Sequence, residues 1–362
     1  MAFQLPTYME PDFDKEPFLS APNAEVNEVV IEGVAPANYH ALSIYPEYFK
    51  IDGQWVLISE SRMDCVPVIR DENTVEAVEF RNLKVGDRVV VGRTENGSDG
   101  IYLHANSFKT TQKKCDVFSF RTGRSRETAY SRDYDTLYEV LRYEREHGYI
   151  VWVLGPAVVF DHDSKKALSE LIEHGYAHAL LAGNALATHD LEGSMMQTAL
   201  GQDIYTQEQR PLGHYNHLDL INTVRRYGSI EAFIKGENIQ NGVIYSAIKK
   251  QIPVVLAGSI RDDGPLPPVM GNVYEAQDAM RFHTRKATTV IALATQLHTI
   301  ATGNMTPAYT RKEGAIRPVF IYSIDVSEFA VNKLRDRGSL SVTPIVTNVQ
   351  DFLVHLRNNL VP

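Results

Sequence analysis

Apolar residues change their period partway along the chain. From Val26 to about Lys114 they come in short runs rich in β-branched and aromatic residues, VNEVVIEGV, QWVLIS, CVPVI and DRVVVG, separated by Asp, Asn and Gly turn signals. This predicts a smaller, mostly β unit over residues 26–120. From Arg121 to His147 the period becomes helical, with Tyr134, Leu137, Tyr138 and Leu141 on one face and Gly148 placed as a C-cap. Beyond Tyr149, continuous apolar runs (YIVWVLGPAVV, AHALLAGNALA, IPVVLAGSI, TTVIALA, RPVFIYSIDVS) alternate with amphipathic stretches such as KKALSELIEHG. Strands apolar throughout and separated by helices are those of a parallel sheet covered on both faces. Residues 121–362 are therefore predicted to form a doubly wound, Rossmann-like α/β domain. Residues 1–25, rich in Pro, Asp and Glu and without a period, predict an extended arm that is poorly ordered unless a partner holds it.

Composition narrows the function classes. At 362 residues, 44% apolar and 22% charged, the chain has the makeup of a globular protein of two domains rather than a disordered or membrane one. A net charge of -9 without a Lys/Arg run excludes the electrostatic footprint of a nucleic-acid binder. No stretch approaches the ~20 apolar residues of a membrane span. The acidic N-terminus, MAFQLPTYMEPDFDKEPF, lacks a basic segment followed by an apolar one, so a cytoplasmic protein is expected. The two cysteines, Cys65 and Cys115, have neither disulfide-framework nor CxxC metal spacing and read as reduced, buried thiols.

Ligands of an open parallel sheet bind at the carboxyl ends of its strands. The residues there are polar and glycine-rich: Asn184 to Asp190 after LLAG, Ser259 to Gly264 after VVLAG, Ala301 to Met305 after a helical run, and Asp325 after VFIYSI. Thr302, Gly303 and Asn304 offer donors to a pyrophosphate, and Asp325 offers an acceptor to a ribose. A strict GxGxxG is absent, and each such glycine is equally the mark of an ordinary turn. Asp262 and Asp263 read as an ammonium site, a base, a metal site or a solvated turn neutralised by Arg261. His189 and Asp190 read as a proton shuttle or as a helix cap with a partnered imidazole. His214 and His217 share a helical face, yet no carboxylate completes a ligand set, so no metal is expected.

Six ordered blocks carry a resemblance: GPAVV at 155–159, LLAGNALATHDLE at 180–192, GHYNHLDLINTVRRYGSI at 213–230, PVVLAGSIRDDGPLP at 253–267, LHTIATGNM at 297–305 and DRGS at 336–339. With DGQWVLISESRMD at 52–64, they resemble the archaeal-type ornithine cyclodeaminase family, also known as the conserved region of bifunctional lysine-ketoglutarate reductase/saccharopine dehydrogenase enzymes. The same family supplies the C-terminal part of arginine dihydrolase/ornithine cyclodeaminase proteins. The resemblance implies a nucleotide domain similar to that of deoxyhypusine synthase, NAD as cofactor, a small amino-acid substrate and a homo-oligomer. By position it implies NAD contacts from Asn184, Ala185, Asp262, Asp263, Thr302, Gly303, Asn304, Met305, Asp325, Asn348 and Val349. Its implied reaction is L-ornithine to L-proline and ammonia: hydride leaves the amine-bearing carbon, the δ-amine attacks the imine, ammonia departs and the hydride returns. His189, Asp190, Asp262 and Asp263 are the candidates for the base.

Several segments depart from the family pattern. Ser43 to Pro46 stands where Thr-Asn-His-Pro is usual, Phe160 to Asp163 where His-Thr-Gly is usual, Thr198 to Gly201 where Thr-Ser-Leu-Gly is usual, and Thr347 to Val349 where Thr-Asp-Val is usual. A changed amino-acid substrate would produce this drift, which keeps open an NAD-dependent amino-acid or opine-type dehydrogenase. The recurrence of the region inside larger chains keeps open a non-catalytic NAD-binding module.

Overall fold

A computed structural model of the chain describes residues 3–109, 131–262, 264–328, 330–331 and 341–362. The N-terminal unit pairs short strands antiparallel. One sheet orders β2 (Val26–Glu28), β7 (Arg88–Val90), β5 (Val66–Asp71) and β6 (Thr74–Val78); the other orders β4 (Gln54–Leu57), β3 (Glu47–Ile51) and β8 (Ile101–Leu103). Alternating β-branched and aromatic residues put Phe49, Ile58, Val90 and Ile101 into one core. That core takes Tyr309 from a hairpin much later in the chain, β16 (Tyr309–Lys312) with β17 (Ala315–Pro318), and the Tyr309 hydroxyl donates to the Ile58 carbonyl at 2.6 Å. Cys65 is buried in the same core; Cys115 lies outside the described residues.

The N-terminal stretch, expected to be poorly ordered, is held by the chain itself. β1 (Thr7–Tyr8) pairs with β9 (Phe108–Lys109), Phe13 stacks on Trp55 with centroids 5.0 Å apart, and the buried Lys50 ammonium donates to the carbonyls of Phe18, Leu19 and Ala21. Aromatic burial and a clamped cation replace the regular period whose absence suggested an arm.

Helix α1 (Ser131–His147) leads into a six-stranded parallel sheet. Its order is β14 (Val254–Ala257), β11 (Ala179–Gly183), β10 (Ile150–Leu154), β15 (Thr289–Leu293), β18 (Phe320–Asp325) and β19 (Val342–Val346). Two central strands, β10 and β15, are buried at every position, as their unbroken apolar runs require. On one face lie α1, α2 (His162–Glu173), α3 (Asn184–Met196), α4 (Asn216–Tyr227), α5 (Ile230–Gly236), α6 (Val243–Lys249) and the C-terminal helix Val349–Leu360; on the other lie α7 (Val273–Thr284) and α8 (Gln296–Met305). Gly148 is not a left-handed cap: a Cβ there would collide with the Glu144 carboxylate. Among the described residues no helix is long and apolar enough to cross a membrane.

Candidate active site

Numbered by appearance, the sheet runs third, second, first, fourth, fifth, sixth, so the strand order, though not the strand direction, reverses between the parallel β10 and β15, the place where such a sheet leaves a crevice at the carboxyl ends. Backbone meets backbone there. A Cβ on Gly155 would fall onto the Ala294 carbonyl, and Ala294 itself sits at φ +50°. A left-handed alanine at a strand end is local strain of the kind that concentrates at binding sites.

The turn after β10 explains the missing glycine fingerprint. Pro156 removes an N–H, and the α2 N-terminus is filled by Asp161, whose carboxylate accepts from Ser164 N at 2.9 Å. The Asp161 carboxylate thus already occupies that helix start and disfavours a second anion there. By contrast, α3 starts at Gly183 and α8 at Thr295 with no side-chain cap, leaving amide donors at two helix starts on this edge. Asp325 ends β18 on the same edge, one of its oxygens taking Ser327 N at 2.9 Å. Uncapped amide donors for phosphate at two helix starts, a close backbone approach that only glycine allows at Gly155, and a strand-end carboxylate fit a dinucleotide.

Beside the crevice, the ends of β10, β11 and β14 enclose a cleft of about 460 Å³. It brings together Asn184, Ala185, His189 and Asp262 with Phe160 and His217. Asn184 holds the wall in place by accepting from Leu266 N at 3.0 Å. His189, 7% exposed, bonds through Nδ1 to Glu192 at 2.8 Å. Glu192 is fully buried and also accepts from the Thr198 hydroxyl at 2.8 Å and Gly201 N at 3.2 Å. A carboxylate receiving those donors makes His189 Nδ1 the donor and leaves Nε2 with a lone pair for the cleft. Asp262 accepts from Ser259 N at 2.7 Å while lining the cleft. His298 packs against Gly183 at the end of β11, where an added Cβ would stand 3.1 Å from its ring; burial lowers its pKa, with the Asp262 charge pulling the other way.

Other expected site residues lie elsewhere. Asp190 faces away from the cleft: fully buried, it accepts from Val243 N and Ile244 N at 3.0 and 2.8 Å, capping α6, and lies 3.5 Å from the Lys165 ammonium. Thr302, Gly303, Asn304 and Met305 form the last turn of α8 rather than a loop, about 9 Å along the axis from its start. Met305 packs in the core. Asn348 spends its side-chain oxygen on Gln350 N and Asp351 N, and Val349 is buried. Asp263 lies outside the described residues. The Ser43 to Pro46 segment does not line the cleft; the Ser43 amide and hydroxyl bind Glu47. Sequence reasoning missed Glu192, although its spacing of three from His189 on a helix was available. It also missed Gly155 and His298, for which no spacing rule applied.

Comparison with known proteins adds relatives. The family described as "Arginine dihydrolase ArgZ-like, C-terminal, Rossmann fold" matches residues 136–356, and "Arginine dihydrolase ArgZ-like, C-terminal, first region" matches residues 46–128. An ornithine cyclodeaminase of Methanopyrus kandleri is 35% identical over 91% of this chain and 76% of its own length. The bifunctional arginine dihydrolase/ornithine cyclodeaminase AgrE of Nostoc is 36% identical over 93% of this chain, which spans 47% of that longer protein. A solved complex of AgrE with ornithine and NAD+ superposes with a TM-score of 0.58 at 34% identity, covering 94% of this chain and 46% of AgrE. A conserved LOR/SDH protein of Methanococcus maripaludis superposes with a TM-score of 0.85 at 32% identity, covering 94% of this chain and 98% of that one.

Proposed function

Since the chain belongs to the archaeal-type ornithine cyclodeaminase family that includes the ArgZ-like C-terminal regions, we propose that it converts L-ornithine, or a closely related diamino acid, to a cyclic imino acid such as L-proline and ammonia, with NAD as cofactor. The observation that carries the reading is the His189–Glu192 pair, held at the wall of a cleft that also contains Asp262 and opens beside the uncapped starts of α3 and α8.

NAD, when bound, supplies a reversible hydride acceptor. The amide donors at α3 and α8 would hold its phosphates, and Asp325 its ribose. His189 Nε2 takes a proton from the substrate α-ammonium, and buried Glu192 stabilises the imidazolium that results. Asp262 attracts the substrate's ammonium groups, orienting the chain so that the δ-amine can reach the α-carbon once it is an imine. Phe160, Leu218 and Ile221 make that part of the cleft apolar, which limits hydrolysis of the imine to an oxo acid. A homo-oligomer is part of this reading, supported by the exposed Leu218 on the cleft and Ile260 between its lining residues Ser259 and Arg261.

Incubation with ornithine, lysine and 2,4-diaminobutyrate, scoring cyclic product and ammonia, tests the proposal. Turnover of one of them, lost in His189→Asn, is expected. Release of an oxo acid with accumulating reduced cofactor would point instead to a dehydrogenase, and NAD binding without any turnover to a regulatory module.

A further inference from the structure

At the opposite, amino edge of the parallel sheet, the last turn of α7 meets the β5–β6 hairpin around a second cavity of about 460 Å³. Arg62 comes to it from the N-terminal unit, Arg281 and Lys286 from α7 and the turn that follows. Arg62 and Arg281 are only 4% and 6% exposed. Buried guanidinium groups are tolerated when paired and fully hydrogen-bonded. Here the pairing is thin. A single carboxylate, Glu79, serves Arg62 at 3.0 Å, Arg81 at 3.5 Å and Arg281. Asp278 is likewise divided between Arg81 and Arg281 at 2.9 and 3.1 Å. The Nε donors of both Arg62 and Arg281 are buried and find no acceptor among the described residues. Lys286 makes no ion pair among those residues and stands 3.5 Å from the centroid of the exposed Phe282 ring at the mouth. Burial, and then the adjacent Arg62 charge, hold Arg281 below the usual guanidinium range, a direction that an arriving anion would reverse.

We propose that this cavity is an oxyanion site for phosphate or a phosphoryl group, bridging the two halves of the chain. Two guanidinium groups and an ammonium match a tetrahedral dianion, whose several oxygens can occupy the donors that Glu79 and Asp278 leave unfilled. The site is separate from the cleft, since β15 runs from one edge of the sheet to the other, about 16 Å for its five residues. The inference is independent of the proposed reaction.

The test is titration of the full chain with inorganic phosphate and with phenyl phosphate at ionic strength held constant with chloride, with and without saturating NAD, read by phosphorus NMR and by thermal unfolding. Saturable binding that raises Tm and is unaffected by NAD is expected, weakened several-fold in Lys286→Gln and at least tenfold in Arg281→Gln. Lys286 is exposed, so its variant remains informative if Arg281→Gln fails to fold. Tighter binding of phenyl phosphate identifies a phosphomonoester, whose organic group meets Phe282; equal binding identifies free phosphate, and both support the site. Unsaturable binding, equal affinity in Lys286→Gln, or displacement by NAD would overturn it.

Discussion

His189 and Asp190 are neighbours in sequence with opposite assignments. On α3, His189 turns to the cleft and Asp190 turns inward to α6. Replacing His189 by Asn is expected to reduce kcat by about 10²- to 10⁴-fold, the range for a lost general base, with NAD affinity retained by titration. Glu192→Gln is expected to reduce kcat less and to move the pH–rate profile, since the imidazolium loses its counter-charge. Asp190→Asn should do the reverse: about 2–5 kcal/mol of stability lost in denaturant unfolding, because α6 loses its charged cap and Lys165 its partner, while kcat of the folded fraction holds. Both readings of the His-Asp pair were legible in its chemistry, but which side chain faced the cleft depended on helix phase relative to α6. Burial pushes the Cys65 thiol up to about 11. Native-state alkylation should therefore be slow, becoming fast on unfolding.

Elements were legible where their period was long. Unbroken apolar runs identified the parallel strands, because only a doubly covered sheet needs them. The end of α8 was misread: Thr302 and Gly303 are weak helix formers, but Met305 packs in the core and the Thr306 hydroxyl donates to the Thr302 carbonyl at 2.6 Å, so packing outweighs propensity. The amide donors proposed for the cofactor phosphates stand at the other end of the same helix. Gly155→Ala is expected to cut NAD affinity at least tenfold and lower Tm, since its Cβ meets the Ala294 carbonyl across the crevice. In the N-terminal unit, burial disfavours the charged form of His40, but its hydrogen bond and charge interaction with Glu47 outweigh this and raise its pKa above 6.5. A raised folded pKa contributes stability that is complete below the unfolded value and is lost as pH rises through the folded one. Tm should accordingly fall with rising pH above about 6.5, with a shallower slope in His40→Gln.

Across the whole molecule, the two halves are interlocked. The β16–β17 hairpin seats Tyr309 in the N-terminal core, and Arg281 of α7 reaches Glu79. Neither link had a local signal, since each joins residues more than two hundred positions apart. Family membership supports the proposed reaction class, and the proposed route for it runs through the helix starts and the His189–Glu192 pair. That route is tested most directly with L-ornithine deuterated at its α-carbon, incubated with the protein and NAD while proline, ammonia and cofactor absorbance are followed. Equimolar proline and ammonia, deuterium retained at the proline α-carbon and no net cofactor reduction are the predicted result. An oxo acid formed with stoichiometric reduced cofactor, or proline that has lost the label to solvent, would contradict it.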